Sequence, residues 1–391
     1  MSELLLLLGL GMAAFVGYNI GGSTTGPAFG PAVGAGVISK AVAAALMSLF
    51  FFAGAWTIGR RVVDTLGQDL VTDTAVFTLE ANVAVLFFIG GALFLGNYAG
   101  VPASTSMTAV GAIAGLGLAA NELAWDVVGR IVTWWVVAPI VAFWVSGVIG
   151  RYFYARINRA VALNRSDGPL FEFDDSGAIP RPRRGPDTSR RELFGTVVVV
   201  AIGCIMAFSS GTSNIANAIA PLVGSGSIGM DPGIVLGGIA VAVGAFTIAR
   251  RTLDTLGNDL TDLPLTAAIV VATVSATLVT LLSWIGIPAS FVIIATMSIV
   301  GLGWGRATRT TTVTETVRGG ETAVTVGSLA GDEPGERLPD IGEEEPEDIP
   351  SAADLFDPST TARVVVMQNV VPIVSTVGAY VTFRLVPAFG I

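Results

Sequence analysis

Two stretches 190 residues apart carry uncharged hydrogen-bond donors in matching order. The first is Gly21-Gly22-Ser23-Thr24-Thr25, and the second is Gly211-Thr212-Ser213-Asn214-Ile215-Ala216-Asn217. Hydroxyl and amide groups hold an oxyanion by donation, without a fixed charge. Each stretch follows a long apolar run and leads into small residues. That form predicts a helix N-terminus at membrane depth, whose free N–H groups and positive dipole end favour an anion. Small residues also let helices pack closely. The same break in both halves weighs toward a site, because irregular backbone survives in a bilayer only when buried or lining a cavity.

A second pair follows. Val101-Pro102-Ala103-Ser104-Thr105-Ser106 returns as Ile287-Pro288-Ala289-Ser290-Phe291-Val292. Proline with following hydroxyls can open a helix and leave donors for an oxyanion. The candidate anion-binding residues are therefore Ser23, Thr24, Thr25, Ser104, Thr105, Ser106, Ser213, Asn214, Asn217 and Ser290. Oxygens of Thr24, Asn214 and Asn217 could also ligate Na⁺; no other metal ligands are assigned. Asp64 and Asp69 recur as Asp254 and Asp259 beside Arg60-Arg61 and Arg250-Arg251, where salt bridges are expected ahead of a proton relay. Glu80 and Glu122 are expected at the interface.

Other chemistry is excluded by what the chain lacks. It has no histidine, which removes His relays and Ser–His catalysis. Cys204 is the single cysteine, and there is neither a P-loop nor an Asp-rich metal motif within the spans, so neither a disulfide within the chain nor a membrane-embedded enzyme is expected.

The elements that must position these donors are membrane helices. The chain of 391 residues is 52% hydrophobic and 13% charged, about half the charge of a soluble domain. Long apolar runs occupy 4–20, 41–58, 75–95, 127–149, 193–208, 234–249, 265–284 and 364–386. Shorter ones occupy 26–38, 102–118, 214–228 and 288–304, giving about twelve membrane segments in an all-α protein with broken or re-entrant helices. Residues 54–70 and 244–260 agree at 12 of 17 positions, so the chain is two homologous repeats. The expected units are a first membrane repeat (1–150), an Arg-rich cytoplasmic linker (151–191), a second repeat (192–305), a Thr-rich then acidic disordered loop (306–362) and a final transmembrane helix (363–391). Whether the repeats run parallel or inverted stays open at this point, because the crossings between them cannot be counted.

The motifs resemble those of inorganic phosphate transporters of the PiT type. Residues 213–221 are similar to the family's G-A-N-D-V-A-N-A signature, Arg61–Gly67 and Arg251–Gly257 to its R-V-x-x-T-[VL]-G motif, and Pro102–Ala112 to its P-[VA]-S-T-T-H segment. The resemblance implies an ion-coupled, homodimeric transporter with inverted repeats in the cell membrane. It implies a central site for phosphate, no cofactor, and Na⁺ or H⁺ as the coupling ion. Where the family has Asn-Asp, this chain has Ser23-Thr24 and Ser213-Asn214, so both carboxylates are missing. A carboxylate accepts the proton of a phosphate P–OH, whereas sulfate has none to donate. Sulfate or another oxyanion is therefore the alternative substrate, and a passive anion channel is a further, weaker one.

Overall fold

The computed structural model describes residues 2–34, 37–98, 104–161, 171–174, 181–184, 190–248, 265–307, 358–386 and 389. Apolar runs that exceed the bilayer's needs become helices because every backbone polar group must be satisfied within the segment. Helix α1 spans Ser2–Gly34 and α2 spans Lys40–Gly54. The latter continues through a π-helical turn at Ala55–Gly59, α3 at Arg60–Asp64 and a second π-helical turn at Thr65–Asp69. The first half is completed by α4 (Leu79–Tyr98), α5 (Thr105–Ala120) and α6 (Trp125–Tyr152), with the short α7 (Tyr154–Val161) after it. The second half holds α8 (Arg190–Gly224), α9 (Met230–Thr247), α10 (Leu265–Trp284), α11 (Phe291–Ala307) and α12 (Pro358–Leu385). Among the described residues the strands form a single antiparallel hairpin in the linker, β1 (Phe171–Asp174) with β2 (Arg181–Arg184).

Seven helices are long and apolar enough to cross a bilayer, and three shorter apolar helices, 105–120, 291–306 and 369–385, accompany them. The expected twelve segments reduce to ten among the described residues, for a local reason. Residues 26–34 are not a separate segment but the last turns of α1, and residues 214–224 are the last turns of α8. The breaks expected at Ser23 and Ser213 are thus corrected: both lie inside unbroken helices. The hydroxyls that would have competed for the backbone instead bond one turn back along it. Thr24 and Thr25 donate to the carbonyls of Ile20 and Gly21, each at 2.7 Å, and Ser23 donates to Ile20 at 3.1 Å. Residues 249–264, with Arg250, Arg251, Asp254 and Asp259, and the acidic stretch 331–357 fall outside the described residues.

The halves exchange contacts. Helix α1 packs on α9, while α2 packs on α8, and glycine sets both approaches. A Cβ on Gly21 would fall 2.0 Å from the Val241 carbonyl oxygen, and one on Gly211 would fall 2.0 Å from that of Phe51. The same exchange recurs at Gly54 against Phe208 and at Gly244 against Tyr18, at 2.0 and 2.1 Å. In each case the partner positions are related by the 190-residue offset. Two outer pairs repeat the pattern, with α5 against α12 at Gly115 and α11 against α6 at Gly305. Directions follow from the same contacts. Gly9 lies beside Leu222 and Gly203 beside Phe29, so the repeat counterparts α1 and α8 run in opposite directions.

Candidate functional site

Helices α5 and α11 are short for a membrane crossing. At 16 and 17 residues they reach only about 25 Å, less than the ~30 Å hydrocarbon core. Each begins at a Pro-Ala-Ser segment, as the sequence suggested. The Ser104 hydroxyl caps α5 by accepting from the Met107 N–H at 3.2 Å, and Ser290 caps α11 by accepting from the Ile293 N–H at 3.4 Å. The N–H groups of a first helical turn have no partner within the helix. Of the helix starts expected, those at Ser104 and Ser290 are present and those at Ser23 and Ser213 are not.

Both ends face one cavity of about 40 Å³, several times the ~10–15 Å³ that one water requires. It is lined by Ser23, Thr24, Pro27 and Ala28 of α1, by Ser104 and Thr105, by Met206, Ser210 and Asn214 of α8, and by Ser290, Phe291 and Val292. No charged side chain is among them. Asn214 is the hub of its polar wall. Its Oδ1 accepts from the Thr105 hydroxyl and from Asn217 Nδ2 (3.2 Å), while its Nδ2 donates to Ser210 Oγ at 3.0 Å. Each half supplies one helix start and one stretch of a long helix.

Six of the ten candidate residues line the cavity: Ser23, Thr24, Ser104, Thr105, Asn214 and Ser290. The other four, Thr25, Ser106, Ser213 and Asn217, are fully buried behind the wall. Ser106 and Ser213 donate to the Ala289 carbonyl at 3.0 and 3.1 Å, and Ser213 Oγ also accepts from the Ala289 N–H at 3.1 Å. They hold the start of α11 in place. Arg61, from the duplicated motif, helps from the other end of that connection. Its guanidinium donates to the Trp284 carbonyl at 2.6 Å and lies 4.5 Å from the centre of the Trp284 ring. Trp135 donates to the Pro288 carbonyl at 2.7 Å.

The cavity also includes residues that a search for hydroxyls passed over. Ser210 stands one helical turn before Asn214 and was findable once α8 is known to be continuous. Met206, Pro27, Ala28, Phe291 and Val292 carry no donor side chain and gave no such signal. The acids lie elsewhere: Asp64 is half-buried, Asp69, Glu80 and Glu122 are at least partly exposed, and Arg60 pairs with Asp231 at 2.6 Å.

Residues 20–325 match the family model described as the phosphate transporter family. The chain belongs to the phosphate transporter family. Its members are transporters rather than enzymes, and this one is a multi-pass membrane protein. Among relatives, the sulfate permease CysP of Bacillus subtilis is 30% identical over 293 residues, covering 75% of each chain. A protein of Thermococcus kodakarensis provisionally named a phosphate permease is 24% identical, covering 78% of this chain and 88% of its own. A solved structure of a sodium-dependent phosphate transporter shares the family fold, with a TM-score of 0.64 at 20% identity, covering 99% of this chain and 100% of that one.

Proposed function

We propose that this chain is a secondary active transporter of inorganic phosphate in the cell membrane, working by alternating access and coupled to Na⁺ or H⁺. The observation that carries the reading is the meeting of two helix N-termini, one from each half, at a single uncharged cavity lined by hydroxyl and amide groups. Positive dipole ends favour an anion, and the uncharged donors hold it without the strong pairing that would prevent release. Family membership supports phosphate as the substrate. The opposite course of α1 and α8 supports inverted repeats, the arrangement that lets one site face either side in turn.

Sulfate is the second reading, favoured by the absence of any carboxylate among the described residues of the cavity wall. Phosphate near neutral pH carries a proton to donate, and an unused carboxylate would penalise sulfate. Without one, the wall serves both anions, and the relative named a sulfate permease fits this alternative. For coupling, Thr24 and Asn214 present oxygens to the cavity and could ligate Na⁺, as the sodium dependence named for the structural neighbour suggests. The homodimer and the domain limits set out from the sequence belong to the same proposal.

Uptake of labelled phosphate and sulfate into proteoliposomes tests this directly, with Na⁺ and H⁺ gradients imposed separately. Phosphate accumulation driven by one gradient is expected. Flux indifferent to both gradients would exclude symport, and sulfate outcompeting phosphate would replace the substrate.

A further inference from the structure

The cavity is off-centre. Helices α1 and α8 pass in opposite directions, from Gly9 beside Leu222 to Gly203 beside Phe29, and so come level near Gly21 and Ser210. From α1 the cavity takes Ser23, Thr24, Pro27 and Ala28, beyond that level; from α8 it takes Met206 and Ser210, before or at it, and Asn214 one turn past it. All but Asn214 lie at that level or toward the end where α8 begins and the linker enters. Thr24 and its counterpart Asn214 both line the cavity, whereas the other positions 190 residues away do not. Ser213, Asn217 and Ala218, the counterparts of Ser23, Pro27 and Ala28, have no exposed surface. Val16 and Ile20, the counterparts of Met206 and Ser210, have none either.

Two features of the closed side need a reason. Ser106 and Ser213, whose hydroxyl oxygens are 3.3 Å apart, both bond the Ala289 backbone, joining α5, α8 and the lead into α11 at one buried point. Just beyond it, Asn217 Oδ1 is buried with no hydrogen-bond partner among the described residues. An enclosed amide oxygen left this way is unfavourable, and a path that fills with water in another state would satisfy it. We infer that Ser106, Ser213 and the Ala289 backbone form the closed gate of the anion path on the face opposite the linker. Asn217 lines that path when the gate opens. The inference rests on the alternating-access reading. It also gives the gate a direction: the counterpart of Ser106 is Val292, which has no hydroxyl, so the linker side has a weaker closure and the molecule rests open to that side.

The test uses the full chain with Cys204→Ser, in which Ser106→Cys and Ser213→Cys together place two thiols at the gate for Cd²⁺ to bridge. Cd²⁺ should lower flux at least ten-fold and a chelator should restore it, with phosphate or sulfate still bound from the linker face. Flux that persists under Cd²⁺ would overturn the gate. A second arm needs no anion. Asn217→Cys should resist a membrane-impermeant maleimide, and adding Ser106→Ala should raise its labelling several-fold from the face opposite the linker. Labelling that stays unchanged would overturn the gate as well. If the Cys204→Ser parent carries neither anion, the transport reading fails while the labelling still decides the gate.

Discussion

In the proposed site, Asn214 gathers the hydrogen bonds of the cavity wall at one side chain. It takes hydrogen bonds from Thr105 and Asn217 and gives one to Ser210, at the wall where an anion would sit. Removing it in Asn214→Ala should cost about 1.5–3 kcal/mol of anion binding, the range for hydrogen bonds to charged groups, or roughly ten- to hundred-fold in affinity. Equilibrium binding of labelled phosphate and sulfate measures this, and unchanged affinity would remove Asn214 from the site. Asn214→Asp asks a sharper question. Thr105 and Asn217 already donate to this position and the Ser210 hydroxyl can turn to do so, so a carboxylate fits the surroundings. It would accept a phosphate P–OH and repel sulfate. Competition uptake should therefore show the preference for phosphate over sulfate rising by about ten-fold or more, given the discrimination that a site's unpaired polar group imposes.

At the scale of elements, glycine sets how closely the helices approach. The Cβ of Gly211→Ala would lie 2.0 Å from the Phe51 carbonyl oxygen, a backbone atom that cannot swing away. Separating α2 from α8 should cost on the order of 1–3 kcal/mol or more, beyond the ~1 kcal/mol that alanine gains in a helix. Gly11→Ala in α1 is the control, because nothing lies within 4 Å of its Cβ. Thermal denaturation in detergent should show Gly211→Ala melting lower than the parent and Gly11→Ala melting at or above it. Equal melting of the two would mean that the helix crossing is not tight. The duplicated motif has the same structural purpose. Its Gly54, Gly59 and Gly67 meet the backbone or side chains of α8 at Phe208, Ile215 and Ala220, while Arg61 fastens the connection that delivers Ser290.

For the whole molecule, the opposite course of α1 and α8 places the ends of these two helices on opposite faces. Ser39, just before α2, and Gly229, just before α9, are both exposed and hold equivalent places in the two repeats. In the Cys204→Ser background, Ser39→Cys should be labelled by an impermeant maleimide from the linker face, and Gly229→Cys from the other. Labelling of both from one face would make the repeats parallel and remove the basis for alternating access. The Arg60–Asp231 pair contributes little to this architecture. Both side chains are substantially exposed, and such pairs are worth about 0–1 kcal/mol.

The sequence by itself determined that the chain is a duplicated helical membrane protein, and it supplied the donors of the site. Hydropathy and the repeat are local or self-comparing signals, readable without knowing what packs where. It also placed the helix starts at Ser104 and Ser290 correctly, because proline and a capping serine act within a few residues of themselves. The folded molecule alone decided that α1 and α8 run unbroken through their small-residue stretches. A serine or threonine hydroxyl can bond its own helix or open it, and the outcome depends on the backbone pressed against the adjoining glycines. It also decided that Ser23 faces the cavity while its twin Ser213 is tied to Ala289. The two share a residue type and a motif position, and differ only in the distant chain each one meets.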